Sequence, residues 1–137
     1  MNPLGIYIHI PYCLHKCGYC DFNSHPENQE ESEVYVPALL LEIEHYAQKL
    51  APQTVPTVFF GGGTPTLLPP ASLDKILGKV KQHFNLSADC EITIEANPAT
   101  IKQETLEQIR SSGFNRISIG VQSFDLDELK LLEGVHN

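Results

Sequence analysis

Two hydrophobic periods alternate along the chain. Residues 6–10, IYIHI, form a β-rich run, followed by a cysteine-bearing loop and a polar, acidic connection, NSHPENQEES. Beyond it, VYVPALLLEIEHYAQKL spaces Val36, Leu39, Leu40, Ile43, Tyr46, Ala47 and Leu50 three or four residues apart, which predicts the apolar face of a helix. Pro37 suits a first helical turn, so the helix is expected to start there or nearer Ser32. The alternation recurs. TVFF (57–60) reads as a buried strand, and ASLDKILGKVKQHF as a helix with Ser72 as N-cap. EITIEA (91–96) is a third strand. In the helix after it, Thr100 and Gln103 have capping-box spacing and Gly113 sits at C′. RISIGV (116–121) is a fourth strand, with a fourth helix beginning at about Asp125.

Strands separated by helices make βαβ units and a parallel sheet, an α/β fold. Right-handed crossovers leave two architectures, an open doubly wound sheet or a full or partial (β/α) barrel. The 137 residues suffice for one domain with a sizeable core. LEGVHN follows directly on the fourth helix with nothing to cover the fourth strand's edge, which leads us to expect the N-terminal portion, residues 1–137, of a longer domain.

Charge and composition narrow the function. A formal charge of −8, with nine scattered basic residues, excludes a nucleic-acid surface. No apolar run approaches a membrane span, and MNPLGIYIHIPY lacks the basic region and cleavage site of a signal peptide, so a cytoplasmic location is expected. Three of the four cysteines, Cys13, Cys17 and Cys20, crowd into YCLHKCGYCDF. Disulfide scaffolds belong to exported proteins, and pairs within this cluster would close only very short loops. Reduced thiols holding a metal are the better reading. C-x3-C-x2-C can wrap a cubane with three thiolates and leave one iron open, as a catalytic site requires. Zinc is the alternative, with His9, His15 or His25 as fourth ligand, although no second C-x2-C pair exists. Cys90, far away at the start of a strand, reads as a core residue.

In either architecture ligands bind at the C-terminal ends of the strands, and the unusual clusters all fall there. After strand one comes the cysteine loop, after strand two GGGTPT, at the end of strand three Glu95 with Asn97, and after strand four Gln122 and Ser123. The glycines either let a ligand approach the backbone or relieve crowding in a tight turn; Thr64 and Thr66 add hydroxyls. A carboxylate at Glu95, in a buried strand, needs a ligand or a structural ion pair. His9 reads as a core or loop histidine, and Glu30, Glu31 and Glu33 as a solvated face.

Together IHIPYCLHKCGYC, FFGGGTPT, IEANP and GVQSF, in this order, resemble the radical S-adenosylmethionine (SAM) enzymes, in particular the group of oxygen-independent coproporphyrinogen III oxidase and its haem-chaperone relatives. The resemblance runs from about Tyr7 to Asn137. It implies a parallel partial (β/α) barrel, of which this chain supplies about four of six units. It also implies a 4Fe-4S cluster on Cys13, Cys17 and Cys20, whose open iron is chelated by S-adenosyl-L-methionine, with reductive cleavage to a 5′-deoxyadenosyl radical. Gly62, Gly63 and Thr64 would hold the methionine moiety, and Glu95 and Gln122 the cofactor's polar groups, ribose included. Tyr7 would approach the cluster and Tyr19 the adenine. The oxidase carries a further cysteine where this chain has Phe22, a pattern similar to the haem-chaperone branch. That branch's His-Asn-x-x-Tyr-Trp haem motif would begin at His136 and Asn137. The partners implied are haem or a porphyrinogen, an electron donor, haem-accepting respiratory proteins and, in a homodimer, a second copy of the chain. The oxidase is the alternative function, and a zinc-stabilised α/β binding module a third.

Overall fold

A computed structural model describes residues 3–13, 25–26, 29–50, 52–121 and 124–131. Four strands build its main sheet: β1 (Gly5–Ile10), β4 (Thr54–Gly62), β5 (Asn85–Ala96) and β6 (Arg116–Ile119). Two short strands, β2 (Tyr12–Cys13) and β3 (His25–Pro26), pair with each other in parallel. Helices α1 (Gln29–Leu50), α2 (Pro70–His83) and α3 (Gln103–Ser112) cross between the main strands, and α4 (Leu126–Leu131) follows β6.

The main sheet runs β1-β4-β5-β6, every pair parallel, so each strand lies beside the one that precedes it in the sheet. A doubly wound sheet would reverse this order at a switch point. Here α1 packs on α2 and α2 on α3 along one face, the winding of a barrel wall. Of the two architectures compatible with the sequence, the structure has the (β/α) one.

Alternation along the strands follows from this one-sided cover. Ile8 and Ile10, Val58 and Phe60, Ile92 and Ile94 point to the helices and are buried with Leu39, Ile43, Leu73, Ile76, Leu77, Val80 and Ile109. Each such side chain contributes roughly 1.5–3 kcal/mol on leaving water. Phe60 and Phe114 meet edge to face at 4.9 Å. The alternate positions carry Tyr7 and His9, Phe59 and Gly61, Thr93 and Glu95, Arg116 and Ser118, which share the opposite face through the register Tyr7↔Phe59↔Thr93↔Arg116. Chemistry collects there because the helices do not cover it.

Local chemistry corrects several expected boundaries. The first helix begins at Gln29, leaving Pro37 inside it, and Tyr46 is 48% exposed rather than on the buried face. Proline is tolerated there because Val36, Leu39, Ile43 and Ala47 anchor the helix on both sides of it. Pro69 and Pro70, with their preset φ, start α2, so Ser72 is not its N-cap. Nor does Thr100 cap α3: it closes a 3-10 turn (Pro98–Thr100), and Lys102 is the N-cap without a side-chain bond. β5 begins six residues earlier than expected, while β6 stops at Ile119, two residues short of Val121. Gly113 does end α3, at φ +118°, and the Asp125 carboxylate accepts the N–H groups of Asp127 and Glu128 at the start of α4.

One structural residue left no mark in the hydrophobic pattern. The Asn115 side chain donates to Cys90 O and accepts from Ile92 N, both at 2.8 Å, extending the ladder of β5 where β6 has not yet begun. Asn115→Ala is expected to lower stability by about 2 kcal/mol, since it leaves two backbone groups of β5 without that partner. Urea denaturation checks this through the midpoint at unchanged slope.

Candidate cofactor site

The strand ends converge on one edge, with Ile10 beside Gly62 and Ala96 beside Ile119. Immediately past that edge the chain enters Tyr12 and Cys13, and the glycine loop closes on it. Gly63 N donates to Ile10 O at 2.7 Å and Thr64 N to Tyr12 O at 2.5 Å. A Cβ on Gly63 would collide with Tyr12 O and lie 2.7 Å from its carbonyl carbon. Gly62 has φ +115°, and its Cβ would fall 2.6 Å from Ile10 O. The crowding that selects glycine at both positions therefore comes from the chain leading into the cysteine loop.

Gly61 and Gly62 also border the Glu95 carboxylate. Gly62 N donates to Glu95 Oε1 at 3.2 Å, and a Cβ on Gly61 would overlap the same oxygen. Of the two partners expected for this carboxylate, a structural ion pair is not seen among the described residues, where no lysine or arginine pairs with Glu95. Burial raises its pKa above the ordinary carboxylate range, opposed by the Gly62 N–H and by nearby His9. Facing it across the sheet, Tyr7 is 56% exposed, stacks on Phe59 at 6.0 Å and 16°, and shares a 3.1 Å hydrogen bond with His9 Nδ1. Burial, then the Glu95 charge, raise the Tyr7 phenol pKa and keep it a donor.

Of the residues expected at the site, Tyr7, Gly62, Gly63, Thr64 and Glu95 are thus gathered at one sheet edge. Cys13 follows in β2 by its backbone. Cys17, Cys20, Tyr19, Gln122, His136 and Asn137, like His15, Phe22 and Ser123, lie outside the described residues. Cys90 is in the core, where burial raises its thiol pKa, as expected of a packing residue. Asn97 turns its side chain back to Ala99 N at 2.8 Å and caps the turn after β5. Phe59 and Tyr35 were not singled out in the sequence. Both lie inside apolar runs, where an aromatic ring carries no mark of a site.

The sequence profile of the Radical SAM superfamily matches residues 7–137. The chain belongs to the radical SAM superfamily. It is 44% identical over 137 residues to the heme chaperone HemW of Escherichia coli K12, covering 99% of this chain and 36% of that protein. It is 42% identical to the HemW of Buchnera aphidicola from Schizaphis graminum, covering 100% and 37%. The oxygen-independent coproporphyrinogen III oxidase of Salmonella typhimurium is 37% identical, over 96% of this chain and 29% of that one. Among solved structures, the Escherichia coli coproporphyrinogen III oxidase HemN, described as a radical SAM enzyme, superposes with a TM-score of 0.91 at 36% identity, over 98% of this chain and 31% of that one. The chain therefore spans about a third of the length of these relatives.

Membership of the radical SAM superfamily implies a 4Fe-4S cluster and S-adenosyl-L-methionine. The described residues fit the second of these. A half-buried carboxylate with a raised pKa and, among the described residues, no lysine or arginine beside it suits a ligand that brings an ammonium or hydroxyl groups, and the exposed Tyr7 edge leaves that approach open.

The same electrostatics make Glu95 costly when the site is empty. Because its folded pKa is raised, the native state holds the proton more tightly than the unfolded chain, so stability falls as pH rises from the ordinary carboxylate range through the raised value. Glu95→Gln is expected to unfold at a higher temperature than the parent protein at pH 7 and to lose that advantage at pH 4. Paired thermal melts at the two pH values check the sign.

Proposed function

We propose that Cys13, Cys17 and Cys20 hold the 4Fe-4S cluster, with Gly62, Gly63 and Thr64 at the methionine end of S-adenosyl-L-methionine. On this reading Glu95 and Gln122 take its ammonium and hydroxyl groups, and Tyr7 and Tyr19 flank the cluster and the adenine. The complete protein is a haem chaperone of the coproporphyrinogen III oxidase-like group, which binds haem, in part through the motif opening at His136 and Asn137, and passes it to haem-accepting respiratory proteins in the cytoplasm. The observation that carries the cofactor assignment is the Glu95 carboxylate, held by Gly62 N at the edge where the chain passes into Cys13. The chaperone assignment is supported by the relatives named HemW at 42% and 44% identity and by Phe22 in place of a further cysteine.

When bound, the cluster supplies the electron for reductive cleavage of S-adenosyl-L-methionine. The chain's own residues do the rest. Gly62 and Gly63 let the strand ends close on Glu95 and on the segment leading to Cys13, Gly62 N donating to Glu95 Oε1 and Gly63 N to Ile10 O. Glu95 offers an acceptor whose second oxygen is not engaged by Gly62. The Tyr7 phenol stays protonated beside His9 and lines the open face.

A second reading, the oxidase, is favoured by the close superposition on HemN. The complete protein, reconstituted anaerobically, separates the two. Haem titration together with a coproporphyrinogen III assay should show haem binding and no decarboxylation. Decarboxylated product would establish the oxidase, and neither result would remove both.

A further inference from the structure

From Tyr35 on α1 we infer a positioning role: its side chain braces the backbone that carries Cys13 against the glycine loop, and so sets the cluster relative to S-adenosyl-L-methionine. This rests on the cofactor assignment above. Two contacts of Tyr35 reach the segment that leads to Cys13. Its hydroxyl donates to His9 O on β1, which among the described residues pairs in the main sheet with β4. Its ring meets that of Tyr12 edge to face at 5.8 Å and 81°.

Tyr12 is the residue before Cys13, is 2% exposed, and accepts from Thr64 N through its own carbonyl. A continuous path therefore runs from α1 through Tyr35 to His9 and Tyr12, and from Tyr12 to Cys13 on one side and to Thr64 on the other. The helix bearing Tyr35 starts at Gln29, so the ring also ties the far end of the cysteine loop to its beginning. Hydrophobic burial of Tyr35 alone requires only the ring. The hydroxyl, aimed at a backbone carbonyl four residues before Cys13, serves to fix position.

The test is Tyr35→Phe in the complete protein, which keeps the ring and removes the hydroxyl. Two quantities are read on anaerobically reconstituted protein: the rate at which a chelator strips iron, and the S-adenosyl-L-methionine concentration that half-converts the electron paramagnetic resonance signal of the reduced cluster. Loss of one neutral hydrogen bond sets the scale, so each is expected to change by about fivefold to tenfold, with the iron content at full loading unchanged. Ile76→Val, a core change in α2, controls for stability and should leave both quantities at the parent values. Parent-like behaviour of Tyr35→Phe, or equal changes in Ile76→Val, would overturn the bracing role. If the unsubstituted protein takes up no iron, it is the cofactor assignment that fails.

Discussion

Gly63→Ala is expected to destabilise the protein by about 3 kcal/mol and to abolish its response to S-adenosyl-L-methionine. The added methyl has no flexible side chain to displace: it meets Tyr12 O and Tyr12 C, and lies 3.0 Å from Tyr12 N. Relief requires the loop and the Tyr12 backbone to part, which stretches the bonds from Gly63 N to Ile10 O and from Thr64 N to Tyr12 O. Overpacking of this kind costs about 1–3 kcal/mol, and each weakened backbone bond adds about 1 kcal/mol. The same movement carries Cys13 away from the glycine loop, so cofactor affinity should fall by more than the stability loss alone implies. Gly78→Ala is the internal control. That glycine lies in α2 with nothing within 4 Å of an added Cβ, and alanine there should stabilise by up to about 1 kcal/mol. Denaturant melts of the two variants should therefore move in opposite directions, while the cofactor titration should change in Gly63→Ala alone. Equal, small effects would mean that Gly63 is not packed against the cysteine-bearing segment.

A larger effect still is expected from Cys17→Ala, which should reduce iron from about four atoms per chain to less than one, because two remaining thiolates cannot hold a cubane of this kind. Cys13→Ala and Cys20→Ala should behave alike. Cys90→Ala should keep full iron loading, since its thiol is buried in the core at 5% exposure. Iron and acid-labile sulfide, measured after anaerobic reconstitution of all four variants, give the comparison directly. Retained loading in Cys17→Ala would remove Cys17 from the ligand set, and lost loading in Cys90→Ala would add a ligand that the spacing did not suggest.

Most of the architecture was legible in the sequence because the period of hydrophobicity is itself the consequence of one-sided helical cover. Ile8, Ile10, Val58, Phe60, Ile92 and Ile94 mark the covered face, and the residues between them mark the other. The choice between a doubly wound sheet and a barrel wall was not legible from that pattern, since both give alternating strands and helices; it took the motifs, and then the strand order. Two helix starts depart from the expected ones at prolines. Pro69 and Pro70 begin α2 without a side-chain cap, and Pro37 lies within a helix that tertiary contacts hold together.

Tyr7, Gly62, Gly63, Thr64 and Glu95 follow from the resemblance of the motifs that carry them, and the structure brings them to one sheet edge. Their relations were not legible in the sequence. The sequence left the GGGT glycines between a ligand cradle and a crowded turn, and the structure shows the crowding, with Tyr12 and Ile10 as the neighbours. It left Glu95 between ion pair and ligand site, and among the described residues the carboxylate is held by the Gly62 N–H, with no lysine or arginine paired to it. Tyr35 was invisible because its meaning lies in a contact across twenty-six positions of chain, with His9.

The central claim is that this edge of the sheet unites an iron–sulfur cluster with S-adenosyl-L-methionine. Its most direct test is the electron paramagnetic resonance spectrum of the complete protein, reconstituted anaerobically and reduced, before and after S-adenosyl-L-methionine is added. A cubane signal that changes on addition in the parent protein, and does not change in Glu95→Ala at the same concentration, is the expected result. Zinc taken up in preference to iron, or a cluster signal indifferent to S-adenosyl-L-methionine, would contradict the account.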